Sequence, residues 1–232
     1  MANVLTPFGL KHLGNVGGGF APSYELRQRR IALGQTNPIF RGDPVMTVTG
    51  ASGGYIQQYA IGGGGVTIAG VFSHCEYFSV SQQRKIRSNY WPGSDAQFDV
   101  DAFIIDAAQS MFYAASDGTG TVTNFAPASI IVQAAIGANI DINIATGGSS
   151  APAAGSGQGN TVAQISGAML KVASIATTAT LPFRLIRPYS DFVAPNAPAA
   201  GTTSFNGADN TTTFNWWIVA FNSAESKQLT GV

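Results

Sequence analysis

His74, Cys75 and Glu76 are consecutive, and they bring together an imidazole, the chain's single thiol and a carboxylate, the three groups from which a thiol nucleophile and its base are built. Asp95, Asp99, Asp101 and Asp106 form a second reactive set, in which Asp99 and Asp101 have the spacing of an acid pair or a calcium site. Both readings depend on the element that carries the residues. Val71–Tyr77 reads as a β-strand, where successive side chains point to opposite faces, so His74 and Glu76 share one side while Cys75 takes the other. That geometry assembles no triad. Asp99 and Asp101 alternate with Phe98, Val100 and Ala102, and solvent-facing strand positions account for them without chemistry.

The remaining chemical motifs are equally sparse. One cysteine excludes an internal disulfide and a cysteine-based zinc site. The two histidines, His12 and His74, stand in no metal-ligand spacing, and no Gly-x-Ser-x-Gly elbow is present. Gly62–Gly65 lacks the Lys-Ser/Thr that a phosphate loop needs and reads as a turn. Arg41-Gly-Asp43 matches an integrin-type tripeptide, yet Gly and Asp before Pro44 are what a turn requires. Arg84-Lys-Ile-Arg87, with Tyr90 and Trp91 close behind, mixes cations and aromatics as a nucleic-acid site does. Three cations in one excursion, Gln82–Arg87, of a neutral chain better fit docking onto an acidic protein surface. Arg27, Arg29, Arg30, Arg84, Lys85, Arg87 and Trp91 are accordingly the candidate contact residues. The expectation is a protein that is not an enzyme and uses no cofactor and no metal.

The 232 residues carry 12 basic and 12 acidic side chains, only 10% charged against 45% hydrophobic, well below the charge of an ordinary soluble domain. A surface so poor in charge is covered by Ser, Thr, Asn, Gln and Gly or is partly buried against other subunits. Residues 1–100 carry a formal charge of +3 and the remainder −3, which is chance in a charge-poor chain or a docking surface for an acidic partner or a neighbouring copy. The N-terminus lacks the pattern of a signal peptide, and no apolar run has the length of a membrane span. The reading is a protein made and used without crossing a membrane.

Twenty-eight glycines and eleven prolines punctuate short apolar runs, so the fold class is mostly β, an antiparallel β-barrel or β-sandwich with long loops. Residues 1–23, with Gly17–Gly19 at their centre, read as an extended N-terminal arm. Residues 24–232 read as a single all-β body. Strands are predicted at 24–32, where helix is the alternative, and at 39–40, 44–49, 55–60, 66–72, 71–77, 88–93, 98–106, 110–115, 129–135, 140–145, 169–175, 181–186 and 213–221. Ile140, Ile142 and Ile144 alternate with Asp141 and Asn143 as a half-buried strand does. Surface loops are expected near 146–160, a low-complexity stretch, and 194–210. Ala126–Ala138 and Val162–Ala173 alone have the length of helices, and their β-branched content argues against it.

Several blocks in order resemble the decoration, or cement, proteins of tailed-bacteriophage heads. They are Pro7-Phe-Gly-Leu with the Gly-rich arm, Ile39-Phe-Arg-Gly-Asp-Pro-Val45, Ala69-Gly-Val-Phe-Ser-His-Cys-Glu-Tyr77, Ser88-Asn-Tyr-Trp-Pro-Gly93 and Leu181-Pro-Phe-Arg-Leu-Ile186. The resemblance implies a mostly β structural virion protein that binds the outside of the major capsid lattice and bridges neighbouring capsomers. It implies the major capsid protein and further copies of the chain as partners, a homotrimer in preference to a homodimer, and neither nucleic acid nor membrane. The long Ala/Gly/Ser loop and the sparse charge depart from the commoner pattern. Trp91, Trp216 and Trp217, which could stack on sugar rings, motivate the alternative of a receptor- or glycan-binding β module of a tail or fibre.

Overall fold

A computed structural model describes residues 5, 7–16, 26–49, 53–60, 67–119, 129–153, 155–189 and 213–227. Gly62–Gly65 and the 194–210 loop lie outside the described residues. The fold is mostly β, with antiparallel sheets in a sandwich-like arrangement and no closed barrel.

Among the described residues sixteen strands follow in chain order: β1 Lys11–Asn15, β2 Leu26–Ile31, β3 Ile39–Phe40, β4 Pro44–Thr47, β5 Ile56–Gln58, β6 Gly70–Ser79, β7 Arg84–Ser88 and β8 Tyr90–Trp91. The second half adds β9 Val100–Ile105, β10 Ser110–Ala115, β11 Asn139–Asn143, β12 Gly148–Ser149, β13 Gly159–Asn160, β14 Met169–Ala176, β15 Phe183–Pro188 and β16 Trp216–Phe221. One sheet has the order β1-β10-β16-β15-β11-β14, and the other has β2-β9-β6-β4-β5 with β7 also paired to β6.

The first sheet lays Phe112, Ala114, Trp217, Val219, Phe183, Leu185, Ile140, Ile142 and Leu170 into one core, which Val71, Ile105, Tyr59 and Ile68 of the second sheet's side complete. The second sheet curls. Ile31 of β2 and Ile56 of β5, at opposite ends of its strand order, fall in one buried cluster with Val45, Phe72, Cys75, Tyr77, Trp91, Val100, Ala102 and Ile104. Its end strands meet at one isolated bridge, Arg30 with Tyr55, and form no continuous ladder. Right-handed strand twist brings the ends together.

Four expectations need correction. The described part of the 1–23 arm belongs to the body: β1 pairs with β10, and Phe8 and Leu10 are buried. Residues 129–135 form no strand, and Gln133–Ala135 is a 3-10 turn that packs Ala135 against β15. The alternation at 140–145 is not half-buried. Asp141 is covered as well, and it accepts a hydrogen bond from the Tyr59 hydroxyl at 3.0 Å, which pushes that hydroxyl's pKa upward along with its burial. The low-complexity stretch 146–160 contains β12 and β13, a parallel pair packed over Phe40.

Candidate interaction surface

β6 and β7 form a hairpin whose turn is Val80–Gln83, with Gln83 in the left-handed region at φ 52°. The basic excursion is therefore a strand. Arg84, Lys85 and Arg87 lie on β7, which pairs with β6 alone, and cations on such an edge discourage strand addition. Glu76 faces Arg87 directly across the ladder, and its carboxylate takes Lys85 Nζ at 2.8 Å. That bond, ahead of the charges around it, lowers the Glu76 pKa and raises that of Lys85.

The register carries the same convex face across β6 and β9 to β2. His74 is opposite Phe103, and their rings stack at 4.5 Å. Asp101 is opposite Arg30 on β2, with 3.9 Å between their charged groups. The face thus presents Arg87, Lys85, Glu76, Phe103, Asp101 and Arg30 as a ribbon that carries both signs of charge, with His74 buried beneath it. Burial, then the Arg87 charge, lowers the His74 pKa, so the imidazole stays neutral near pH 7. At the β2 end a shallow hollow of about 550 Å³ is lined by Gln28, Arg29, Arg30, Gly53, Gly54 and Tyr55.

The candidate contact residues divide along these lines. Arg30, Lys85 and Arg87 share the convex face. Arg27 and Arg29 have the opposite parity on β2 and are tied to Asp106 at 3.1 Å and Glu225 at 3.4 Å. Arg84 donates to the Gln82 side chain at 3.0 and 2.8 Å. Trp91 is not on any contact surface: it is fully buried inside the curled sheet, with Nε1 donating to the Gln35 carbonyl at 3.1 Å. A large apolar ring with one donor is at home in a core when the donor finds a carbonyl. Trp217 is fully buried too, which leaves Trp216 as the tryptophan with surface, packed among Phe8, Tyr113 and Tyr189.

The residues that could do chemistry are occupied in holding the fold. A register shift between Phe72 and His74 turns Phe72 to the Cys75 side, so thiol and phenyl ring share the interior while His74 and Glu76 face outward. Burial pushes the Cys75 thiol up to about 12, away from the thiolate a nucleophile needs. Asp95 accepts from the hydroxyls of Ser79 at 2.5 Å and Ser81 at 3.0 Å and from the Ser81 N–H at 2.8 Å, clamping the hairpin turn. Asp99 precedes β9 and accepts from the Leu33 N–H and the Tyr55 hydroxyl. With Asp101 and Asp106 paired to arginines, each carboxylate of the set has a different partner. No group of three metal-ligating side chains is found among the described residues. Nor is any described helix long and apolar enough to cross a membrane.

Distant blocks of sequence meet in one knot. β3 pairs with β8, Ile39 with Trp91 and Phe40 with Tyr90, and the Arg41 N–H donates to the Asn89 carbonyl. Phe72 bonds two successive residues of the turn: its carbonyl accepts from the Gly42 N–H, and its N–H donates to the Asp43 carbonyl. Gly42 has φ +93°, and a side chain there would meet the Leu10 nitrogen at 3.1 Å. Asp43 is 1% exposed, so the tripeptide Arg41–Asp43 cannot offer its carboxylate to a receptor. Sequence reasoning found these motifs and missed their meeting, because a backbone knot between residues 29 to 52 positions apart leaves no periodic signal. Comparison with protein-family models, curated proteins and solved structures finds no match to this chain.

Proposed function

We propose that the protein is a non-enzymatic structural component of a tailed-phage head, bound to the outside of the major capsid lattice and bridging neighbouring capsomers. One observation carries the reading furthest. The blocks Ile39–Val45, Ala69–Tyr77 and Ser88–Gly93, which bear the resemblance to decoration proteins, are the strands and turns of a single knot at the centre of the fold. A resemblance spread over residues that hold the scaffold together speaks for shared architecture. Two further features favour lattice binding over catalysis. The thiol and carboxylates are consumed by packing and structural bonds, and the exposed ribbon pairs most of its charges internally, so covering it leaves few of them without a partner.

In this reading the partners are the major capsid protein and further copies of the chain, as a homotrimer in preference to a homodimer. Its place is the outer surface of the virion. Many weak identical contacts on a symmetric shell add up through avidity. Purified protein added to expanded shells of the phage that encodes it is expected to bind at a fixed ratio per capsomer and to raise the heat tolerance of the head. Shells that neither bind it nor change in heat tolerance would overturn the reading.

Receptor or glycan recognition by a tail or fibre retains one supporting observation, the partly exposed cluster of Trp216, Tyr113 and Tyr189 over the buried Phe8, with Lys11 Nζ 4.7 Å from the centre of the Phe8 ring. Glycan-array binding lost in Trp216→Ala, with no affinity for shells, would favour it.

A further inference from the structure

Asp43 occupies the joint between the two sheets. Its turn is bound from the first sheet's side by two segments. The Leu10 N–H, just before β1, donates to the Gly42 carbonyl at 3.0 Å, and the Ser166 N–H, shortly before β14, donates to the Arg41 carbonyl at 3.0 Å. From the curled sheet's side, the Phe40 N–H and Gln58 Nε2 both donate to Asp43 Oδ2, at 2.8 and 2.9 Å. Oδ1 has no hydrogen-bond partner among the described residues, and neither does the side-chain oxygen of Gln58.

No charge balances this carboxylate. The elements packed around it bring the Phe40 and Phe72 backbone, the Gln58 amide, Gly9, Leu10 and the Ser166 hydroxyl. Arg41, its neighbour but one, is exposed, and Tyr59 beside Gln58 donates its hydroxyl to Asp141. An anion buried without a countercharge is costly, whereas a neutral acid in the same place is not. A proton on Oδ1 lets the carboxyl donate as well as accept; the Ser166 hydroxyl, which takes the Ala168 N–H at 2.9 Å, is a neighbour that can donate to the ionised form, and burial outweighs that pull.

We propose that Asp43 is a proton-operated tie between the two sheets: it folds as the neutral acid, and its ionisation loosens the Arg41–Asp43 turn from the segments leading into β1 and β14. Burial raises the carboxyl to about 6 against the opposing pull of Phe40, Ser166 and Gln58. A folded value above the unfolded one means that the native state binds the proton more tightly. The stabilisation is therefore complete below about pH 4, is lost as pH rises through about 6, and is absent above that. A gap of roughly two pH units corresponds to about a 100-fold change in the folding equilibrium. The joint is thus tighter in mildly acidic solution than at neutral pH, whatever surface the protein binds.

Two measurements on the full chain test this. In the first, carbon-13 NMR of the Asp43 carboxyl is followed from pH 3 to 8; titration near pH 6 is expected, and titration at or below the ordinary aspartate value overturns the proposal. In the second, amide exchange of Leu10, Phe40 and Ser166 is compared with that of Ala102 and Ile218 at pH 5 and 7.5, after correction for intrinsic rates. A selective loss of protection of about tenfold or more at pH 7.5, absent in Asp43→Asn, is expected. Equal protection ratios at both pH values in the wild-type protein overturn it. Should Asp43→Asn not fold, the wild-type titration decides alone.

Discussion

The ring of Phe40 lies against the backbone of Gly159 so closely that a Cβ on that glycine would fall 2.1 Å from Cδ2. Gly148 closes on the same ring from β12, where a Cβ would lie 2.4 Å from Cζ, and Tyr90 stacks on it at 5.3 Å. The low-complexity stretch 146–160 is rich in glycine at these positions because nothing larger fits beside the ring.

Gly159→Ala is therefore expected to destabilise by about 1–3 kcal/mol, the usual cost of forcing extra volume into a packed site. Chemical denaturation measures it. Phe40→Leu in the Gly159→Ala background should cost less than the sum of the two single changes. Strict additivity would show that ring and glycine are not in contact.

Trp91→Ala should cost roughly 3–5 kcal/mol in unfolding free energy, as loss of a fully buried aromatic does. Any loss of shell binding should follow the loss of folded protein. A Trp91→Ala variant that keeps wild-type stability and loses only binding would return this residue to the surface.

Charge removal on the hairpin separates fold from partner. Arg84→Gln with Arg87→Gln leaves the Glu76–Lys85 pair in place, puts no like charge opposite Glu76 and changes exposed side chains of an edge strand. Circular dichroism and melting temperature are expected to stay near wild type, while affinity for expanded shells falls at least tenfold. Unchanged affinity would remove this face from the capsid contact.

Cys75 should resist thiol reagents at pH 8 in the native protein, because it is fully buried and its thiol is pushed up to about 12. Labelling is expected to begin only with denaturant and to track unfolding measured by fluorescence. Rapid labelling without denaturant would show that the curled sheet opens.

Asp95 supplies a pH dependence of the opposite sign to that of Asp43. The bond from the Ser79 hydroxyl, followed by that from the Ser81 N–H, holds its pKa below the usual carboxylate value. A depressed folded value gives ordering of the Val80–Gln83 turn that is present above the ordinary aspartate range and lost as pH falls through the folded value. The Ser81 amide resonance should move toward its unfolded position in that acidic window, and should already be displaced at neutral pH in Asp95→Asn. A Ser81 resonance indifferent to both changes would show that the clamp is not formed.

Much of the strand order was legible because local patterns encode it. The strand at 110–115 has the expected bounds, and the Asn-Pro and Gly-Asp-Pro turns placed Ile39–Phe40 and the start of the strand at Pro44, which ends at Thr47 and not at the expected Thr49. Ser129–Ala135 misled because its apolar residues pack as a 3-10 turn beneath β15, and a short apolar run does not announce which neighbour will cover it. The basic residues of β7 and β2 were found as cations. Their ion-pair partners were not, since Asp106, Glu225 and Asp101 are brought to them only by strand pairing and by the chain's return at its far end.

By itself the sequence determined a charge-poor β protein with Gly- and Pro-punctuated turns and a Cys75 facing away from His74 and Glu76. These properties follow from backbone sterics and the twofold period of a strand, both local. Only the tertiary structure decided which face of each strand is interior. It placed Phe72 beside Cys75 through a bulge, sank Trp91 and Asp43 into the core, and wrapped glycines around Phe40. Those outcomes depend on register between segments far apart in the chain, where a shift of one residue exchanges the two faces, and no local pattern records that shift.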